Sequence, residues 1–378
     1  MALASFDFAI AIGGEAGQGI ATPGDILARI FVRRGLHLNT YNAYQSIIRG
    51  GHIFLYVRVC DQEIHTHGDK LDLLVCLNQD TMDRHLQLMG PGSAVLYNGD
   101  NITPGEAADG VQMCPLPVAE LSNTRNRLSQ NTMAVGSAAY LLGLDFEVLE
   151  ESLTLRFQRQ GQAVIDENVG VARAGYDHAV ANFKAFAQTV PTGPKPLAVW
   201  SGNDALAMGG AAAGVKFYAA YPMSPATGVL HWMAQNARNL GIMVRQVEDE
   251  IGVANMVIGA AHTGCRSMCA TSGGGFALMT EAVGAAAMME IPSVFINVQR
   301  AGPSTGVPTK TEQGDLWQSL GASQGDFERF IVAPLNSLDC FNVMPELFNL
   351  TDKYQCPGIV LSDLLLAEGR FSVDPDLI

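Results

Sequence analysis

The sequence predicts an α/β protein of two successive domains, the second a doubly wound sheet. Three observations carry this. Short apolar runs of strand length alternate with longer amphipathic runs, the pattern of a parallel or mixed sheet with helices on its faces. Glycine turns join many of them, as in "GGEAGQG" and "SGGGF". A stretch with three prolines, "AQTVPTGPKPLAVWSGN", interrupts the alternation near the middle of the 378 residues. The expected division is residues 1–190 and 198–378.

The elements follow in order. "FDFAIAIGG" has no basic leader before its apolar run, so it reads as a first strand and not as a secretion signal. After the glycine turn comes an amphipathic run, "IATPGDILARIFVRRG", and then the strand-like "LHLNTYNAY", "HIFLYVRV" and "LDLLVCLN". Residues 130–187 are mostly helical by pattern, with Asn131 in "NTMAVGSAAYLLGLD" as a cap candidate. Beyond the prolines the alternation restarts. Helix-like "NDALAMGGAAAGV", "TGVLHWMAQNARNLG", "DEIGVANMVIGAAHTG", "FALMTEAVGAAAMME" and "SLDCFNVMPELFNLTDKY" precede strand-like "KFYAAYP", "IMVRQV", "RSMCAT", "SVFINV" and "GIVLSD" respectively. That describes a unit of about five or six strands.

Composition narrows the function. Hydrophobic residues make up 48% and charged residues 16%, which suits large cores and excludes disorder. A net charge of −14 argues against a nucleic-acid or anionic-membrane surface. No apolar run of membrane-spanning length is free of charges or glycine breaks. The seven cysteines are odd in number and scattered through apolar stretches, which fits free thiols in a reducing cytoplasm. Cys265 and Cys269 form the one close pair, without the further ligands that an iron–sulfur cluster needs.

Open α/β sheets gather ligands at the carboxyl ends of their strands, so the residues just after each strand of the second domain are the candidates. "KFYAAYP" leads into a turn with Pro222, Ser224 and Pro225. "IMVRQV" leads to Glu248, Asp249 and Glu250, where the first two read as helix capping. Glu250 enters a helix apolar on nearly every face, where a carboxylate needs a specific partner. "RSMCAT" leads to Ser272 and a glycine turn from Gly273, suited to close approach by a ligand. "SVFINV" ends on Arg300, and an arginine closing a buried strand calls for an anion; a structural salt bridge to an acidic partner is the plain alternative. The loop that follows, "AGPSTGVPTKTEQGD", carries hydroxyls and no second charge until Lys310.

Four of these stretches in order, "GNDALAMGGAAAGVKFYAAYPMSPAT", "EDEIGVANMVIGAAHTG", "TSGGGFALMTEAVG" and "QRAGPSTGVPTKTEQGDL", resemble the α subunit of thiamine-diphosphate-dependent 2-oxoacid:ferredoxin oxidoreductases, most closely the 2-oxoglutarate branch. In the first half "GGEAGQGI" and "SIIRGG" resemble the γ domain that this branch carries fused ahead. The resemblance covers nearly the whole chain. It implies a γ-type α/β domain followed by a doubly wound pyrimidine-binding domain of the thiamine-diphosphate-binding fold. Residue by residue, it implies that Glu250 holds the aminopyrimidine of the cofactor and promotes the tautomer that takes the C2 proton. Pro222, Ser224, Ser272 and Gly273 would contact cofactor, and Ser224, Arg300 and Thr309 the 2-oxoacid, with Arg300 gripping its carboxylate.

Departures are Ser224 in "YPMSP", where the family has threonine, Gly274, where proline is common, and Gly314, where serine is common. The diphosphate–metal motif Gly-Asp-Gly is absent, since "NGDN" at Asn98–Asn101 lacks the second glycine. The resemblance therefore implies a β subunit holding diphosphate, Mg2+ and a [4Fe-4S] cluster, ferredoxin as electron acceptor, coenzyme A as cosubstrate, and a dimer of αβ heterodimers. It also implies a further C-terminal domain in the family's α subunit.

Weaker signals remain. "GGEAGQG" sits between strand and helix, where backbone N–H groups can meet phosphate, yet it is not the dinucleotide fingerprint. That counts against a nicotinamide dehydrogenase. His65 and His67 lie on one strand face at a spacing that can hold zinc, although an exposed turn is the simpler reading. His262 reads as a helix-terminal residue. The competing function is a non-catalytic nucleotide- or coenzyme-A-binding module, or the same chemistry acting on pyruvate or another 2-oxoacid.

Overall fold

The computed structural model describes residues 6–45, 50–122 and 127–378. The chain forms two compact units, Met1–Val199 with Phe371–Leu377, and Trp200–Arg370 with Ile378. Its strands are β1 (Asp7–Ala16), β2 (His37–Ala43), β3 (Gly50–Cys60), β4 (Leu73–Cys76), β5 (Ala94–Asn98), β6 (Gln112–Leu116), β7 (Ala198–Ser201), β8 (Phe217–Ala220), β9 (Met243–Gln246), β10 (Ser267–Thr271), β11 (Val294–Gln299), β12 (Phe330–Val332), β13 (Gly358–Asp363) and β14 (Arg370–Val373). Among the described residues no helix is long and apolar enough to cross a membrane.

The sheet of the first unit is mixed. Its order is β6-β5-β4-β1-β3-β2-β14-β7, with β6, β5, β4 and β1 parallel and β3 antiparallel to both β1 and β2. The period-two alternation of β1 explains the layering. Phe8, Ile10 and Ile12 point to one core with Ile26 and Ile30 of the helix Ala21–Arg33. Ala9 and Ala11 point to the other core, with Phe54 and Met82.

One expectation is corrected here. Asn131 does not cap a helix: the helix Arg127–Leu141 starts earlier, and the Asn131 amide donates to the Gln18 carbonyl instead. Near the end of the chain, residues 371–377 leave the second unit expected over 198–378. Phe371 pairs with Asn39 of β2, and Lys195 holds Asp374 and Asp376 at 2.6 and 2.7 Å, so residues 371–377 return to the first unit. Of the stretch "SIIRGG", Ser46–Arg49 lie outside the described residues.

The sheet of the second unit is parallel throughout, in the order β12-β13-β11-β10-β8-β9. Its core joins the helices Glu250–His262 and Gly273–Met288 to the sheet. Val253, Val257 and Ile258 of the first meet Phe276, Met279 and Val283 of the second, together with Phe295 of β11. Full burial of such side chains stabilises by about 1.5–3 kcal/mol each, and this holds the openings of both helices in place.

Candidate functional site

From β8 the chain steps outward to β9, then crosses back to β10 on the other side of β8. The direction of winding thus reverses between β8 and β10, the place where open α/β sheets hold ligands. The expected site residues stand at the carboxyl ends around it: Pro222 and Ser224 after β8, Glu250 after β9, Ser272 and Gly273 after β10, and Arg300 after β11.

Glu250 opens its helix beside the N-cap Asp249, whose Oδ1 accepts from the Gly252 N–H at 2.7 Å. Asp249 is thus the cap, and Glu250 is left for something else. It is 4% exposed and its Oε1 has no hydrogen-bond partner. The carboxyl lies against Gly275 in the first turn of the neighbouring helix, and Thr271 shares that contact. Ser272 N-caps this neighbouring helix without a side-chain cap bond, and its buried Oγ also lacks a partner. Native interiors rarely leave such groups unsatisfied. A carboxyl oxygen and a hydroxyl, both buried and unfilled on adjacent loops, suit a nitrogen-rich ring such as an aminopyrimidine.

Arg300 is 9% exposed. Its Nη1 donates to the Ser224 carbonyl at 2.7 Å and its Nη2 to the Thr305 carbonyl at 2.9 Å. Backbone carbonyls of two separate loops thus meet part of its donor capacity. A guanidinium carries five N–H donors in a planar fork, so holding two carbonyls is compatible with gripping a carboxylate. The bond brings Ser224 and Arg300 together. A further contact, Thr271 Oγ1 to Met223 Sδ at 3.8 Å, ties the same turn to the end of β10. Thr309 is buried at 5% exposure in a loop closed by Ala301 N–H to Lys310 O and Val307 N–H to Ala301 O, both 2.9 Å. No described hydrogen bond joins Thr309 to another expected site residue.

Sequence reasoning missed a polar layer beneath the site. Asn203 Nδ2 donates to the Pro225 carbonyl at 2.8 Å. Asn297, fully buried in β11, donates to Asp315 Oδ2 at 3.0 Å, while the Asp315 N–H donates to Gln299 Oε1 at 2.9 Å. Gln299 in turn donates to the Ser362 carbonyl at 3.2 Å. The signal was present: Asn and Gln stand inside an otherwise apolar strand, where each needs a partner.

The first unit has a cavity of about 550 Å3 at the carboxyl ends of β1, β4, β5 and β6, lined by Glu15, Gly17, Gln18, Asn98 and Asn131 among others. The glycine turn forms one wall. Gly17 (φ 92°) and Gly19 (φ 76°) take the left-handed backbone that glycine favours, and the Gln18 side chain folds back to accept the Glu15 N–H at 2.8 Å. His52 of β3 and His85 at the end of the helix Gln79–His85 face each other Nε2 to Nε2 at 2.8 Å, and His85 lies over Phe54 at 4.0 Å between ring centres. Burial pushes His85 down to about 4, and the His52 charge pushes the same way. His67 stacks on Tyr41. Among the described residues no group of three or more metal-capable side chains converges.

The comparisons agree with this architecture. A family model described as pyruvate flavodoxin/ferredoxin oxidoreductase, thiamine-diphosphate-binding, matches residues 208–374. Another, pyruvate ferredoxin/flavodoxin oxidoreductase, matches residues 9–178. The 2-oxoglutarate oxidoreductase subunit KorA of Mycobacterium tuberculosis is 31% identical over 95% of this chain and 61% of its own length. The 2-oxoglutarate synthase subunit KorA of Methanothermobacter thermautotrophicus is 43% identical over 47% of each chain. The solved 2-oxoglutarate:ferredoxin oxidoreductase from Magnetococcus marinus, with 2-oxoglutarate, coenzyme A and succinyl-CoA bound, superposes with a TM-score of 0.91 at 34% identity, covering 98% of this chain and 66% of that one. The chain thus spans about three fifths of the Mycobacterium relative and about two thirds of the solved structure's chain. Its mixed-sheet unit, its thiamine-diphosphate-binding parallel-sheet unit and these matches together place the chain in the 2-oxoacid:ferredoxin oxidoreductase α-subunit family.

Proposed function

We propose that this chain works as the α subunit of a cytoplasmic 2-oxoglutarate:ferredoxin oxidoreductase. The complete enzyme would convert 2-oxoglutarate and coenzyme A to succinyl-CoA and carbon dioxide, pass the electrons to ferredoxin, and run in either direction. The observation that carries the reading is the Glu250 carboxyl, buried with Oε1 unfilled at the switch point of a thiamine-diphosphate-binding domain.

The buried acid fits an aminopyrimidine nitrogen, and the hydroxyl of Ser272 and the backbone around Pro222 and Gly273 would line the same ring. When bound, thiamine diphosphate supplies the electron sink that decarboxylation of a 2-oxoacid requires. Glu250 holds a proton at the ring nitrogen. Arg300 orients the substrate carboxylate, and the hydroxyls of Ser224 and Thr309 fix the rest of the 2-oxoacid. The loop after Arg300 has its Gly302 N–H held by Glu312 Oε2 at 3.0 Å, so its frame is set before substrate arrives. A β subunit would bring Mg2+ with the diphosphate and the [4Fe-4S] cluster, in a dimer of αβ heterodimers. The amide-lined cavity of the first unit is a candidate seat for the phosphate-bearing end of coenzyme A.

The test is coexpression with a cluster-bearing β subunit, followed by 2-oxoglutarate- and coenzyme-A-dependent reduction of a low-potential dye. Glu250→Gln should lower kcat about a hundredfold or more, the scale of a lost general acid–base group, with an unchanged unfolding midpoint. Arg300→Ala should raise KM for the 2-oxoacid. Normal turnover by the Glu250→Gln complex would end this reading, and a preference for pyruvate would reassign the substrate.

A further inference from the structure

Three glycines, Gly273, Gly274 and Gly275, open the helix Gly273–Met288. None has the left-handed φ that would explain glycine by backbone conformation alone, and glycine in a helix is unfavourable relative to alanine. Space distinguishes them. A Cβ on Gly274 would meet only the Ser304 carbonyl at 3.4 Å, an ordinary contact, which agrees with proline being common there in the family that this sequence resembles. A Cβ on Gly275 would stand 2.7 Å from Glu250 Oε1 and 2.8 Å from Glu250 Cγ, and would collide with Thr271 Oγ1.

We infer that Gly275 is a positioning residue: its missing side chain is the recess into which the Glu250 carboxyl turns, and this contact is the reason for glycine at that place. The inference rests on the reading of Glu250 given above. An acid on the first turn of one helix can reach toward a ligand at the sheet edge only if the facing helix yields room there. Val253 and Phe276, both fully buried, leave the two helices no freedom to part instead. A methyl group at 275 must therefore move the carboxyl, and a displacement near 1 Å in an acid–base group costs on the order of a hundredfold.

The experiment uses the α chain in complex with its β subunit. One readout is the affinity ratio between thiamine diphosphate and an analogue with CH in place of the pyrimidine N1′. The other is the rate of proton–deuterium exchange at C2 of the bound cofactor. Glu250→Gln must lose the preference for the natural ring; if it keeps it, the reading of Glu250 itself fails, and the inference with it. Gly275→Ala should lower the preference by about tenfold or more, as expected for a lost hydrogen bond to a charged group, and slow exchange about a hundredfold. Gly274→Ala should leave both unchanged.

The double variant Gly275→Ala/Thr271→Ala removes the other collision and should remain defective, whereas full recovery would show that the glycine serves Thr271 and would overturn the inference. Retention of the preference within about twofold in Gly275→Ala, with Glu250→Gln defective, overturns it equally. If Gly275→Ala fails to fold, the Gly275→Ala/Glu250→Ala chain must regain the wild-type melting temperature, and a double variant that stays unfolded refutes the claim.

Discussion

Arg300→Lys separates the clasp that this residue makes from the charge that it carries. In the native chain two guanidinium N–H groups hold two backbone carbonyls, of Ser224 at 2.7 Å and Thr305 at 2.9 Å. A lysine ammonium keeps the charge but lacks the planar fork, so it can serve one of the two carbonyls at best. The other is left buried without a donor, a loss of about 2 kcal/mol for a bond to a charged group. Arg300→Ala loses both and should cost roughly twice that. Two of the three tryptophans, Trp232 and Trp317, lie inside the second unit, and Trp200 stands at its boundary in β7, so urea unfolding followed by tryptophan fluorescence reports chiefly on the second unit. The expected order of midpoints is wild type, then Lys, then Ala. A lysine variant as stable as wild type would show that the turn holding Ser224 does not depend on Arg300, and the clasp would lose its meaning.

Two further outcomes follow from the polar layer and the imidazole pair. Asp315→Ala leaves the buried Asn297 amide without its acceptor and should destabilise the second unit by about 1–3 kcal/mol in the same fluorescence assay. The His85 pKa is pushed down to about 4, so the folded first unit binds fewer protons than the unfolded chain between the ordinary histidine value near 6.5 and that number. Stability should be complete above about pH 6.5 and fall as the pH drops toward 4. His85→Phe, which keeps a flat ring over Phe54, should flatten this decline when circular dichroism follows acid titration of the intact chain.

Periodicity made the fold readable. "FDFAIAIGG" splits its large and small residues between two faces, and the apolar run before Arg300 can only be a strand buried on both sides. β5 and β6 went unread because neither "AVLYN" nor "QMCPL" alternates. Asn131 misled because a cap residue looks the same in sequence whether it bonds to its own helix or to the turn at Gln18. At the site, Glu250 was legible because a charge that enters an apolar helix stands out. Asp315, Asn203 and Gly275 were not: an acid in a polar loop, an amide beside a cap and one glycine among three acquire meaning only when a distant partner arrives. Arg300 lay between these cases, visible as a buried cation but not as a bridge between two loops.

Strand β14 pairs with β2, yet it leaves the ribosome after the whole of the second unit. At roughly 5–20 residues per second the intervening stretch of about 170 residues takes on the order of ten seconds or more to synthesise. Throughout that interval the nascent chain carries β2 with a bare row of amides and carbonyls, the kind of edge that recruits strands from other molecules. Slow codons or a truncation before Phe371 would prolong that state, and aggregation during expression is the form in which it would be noticed.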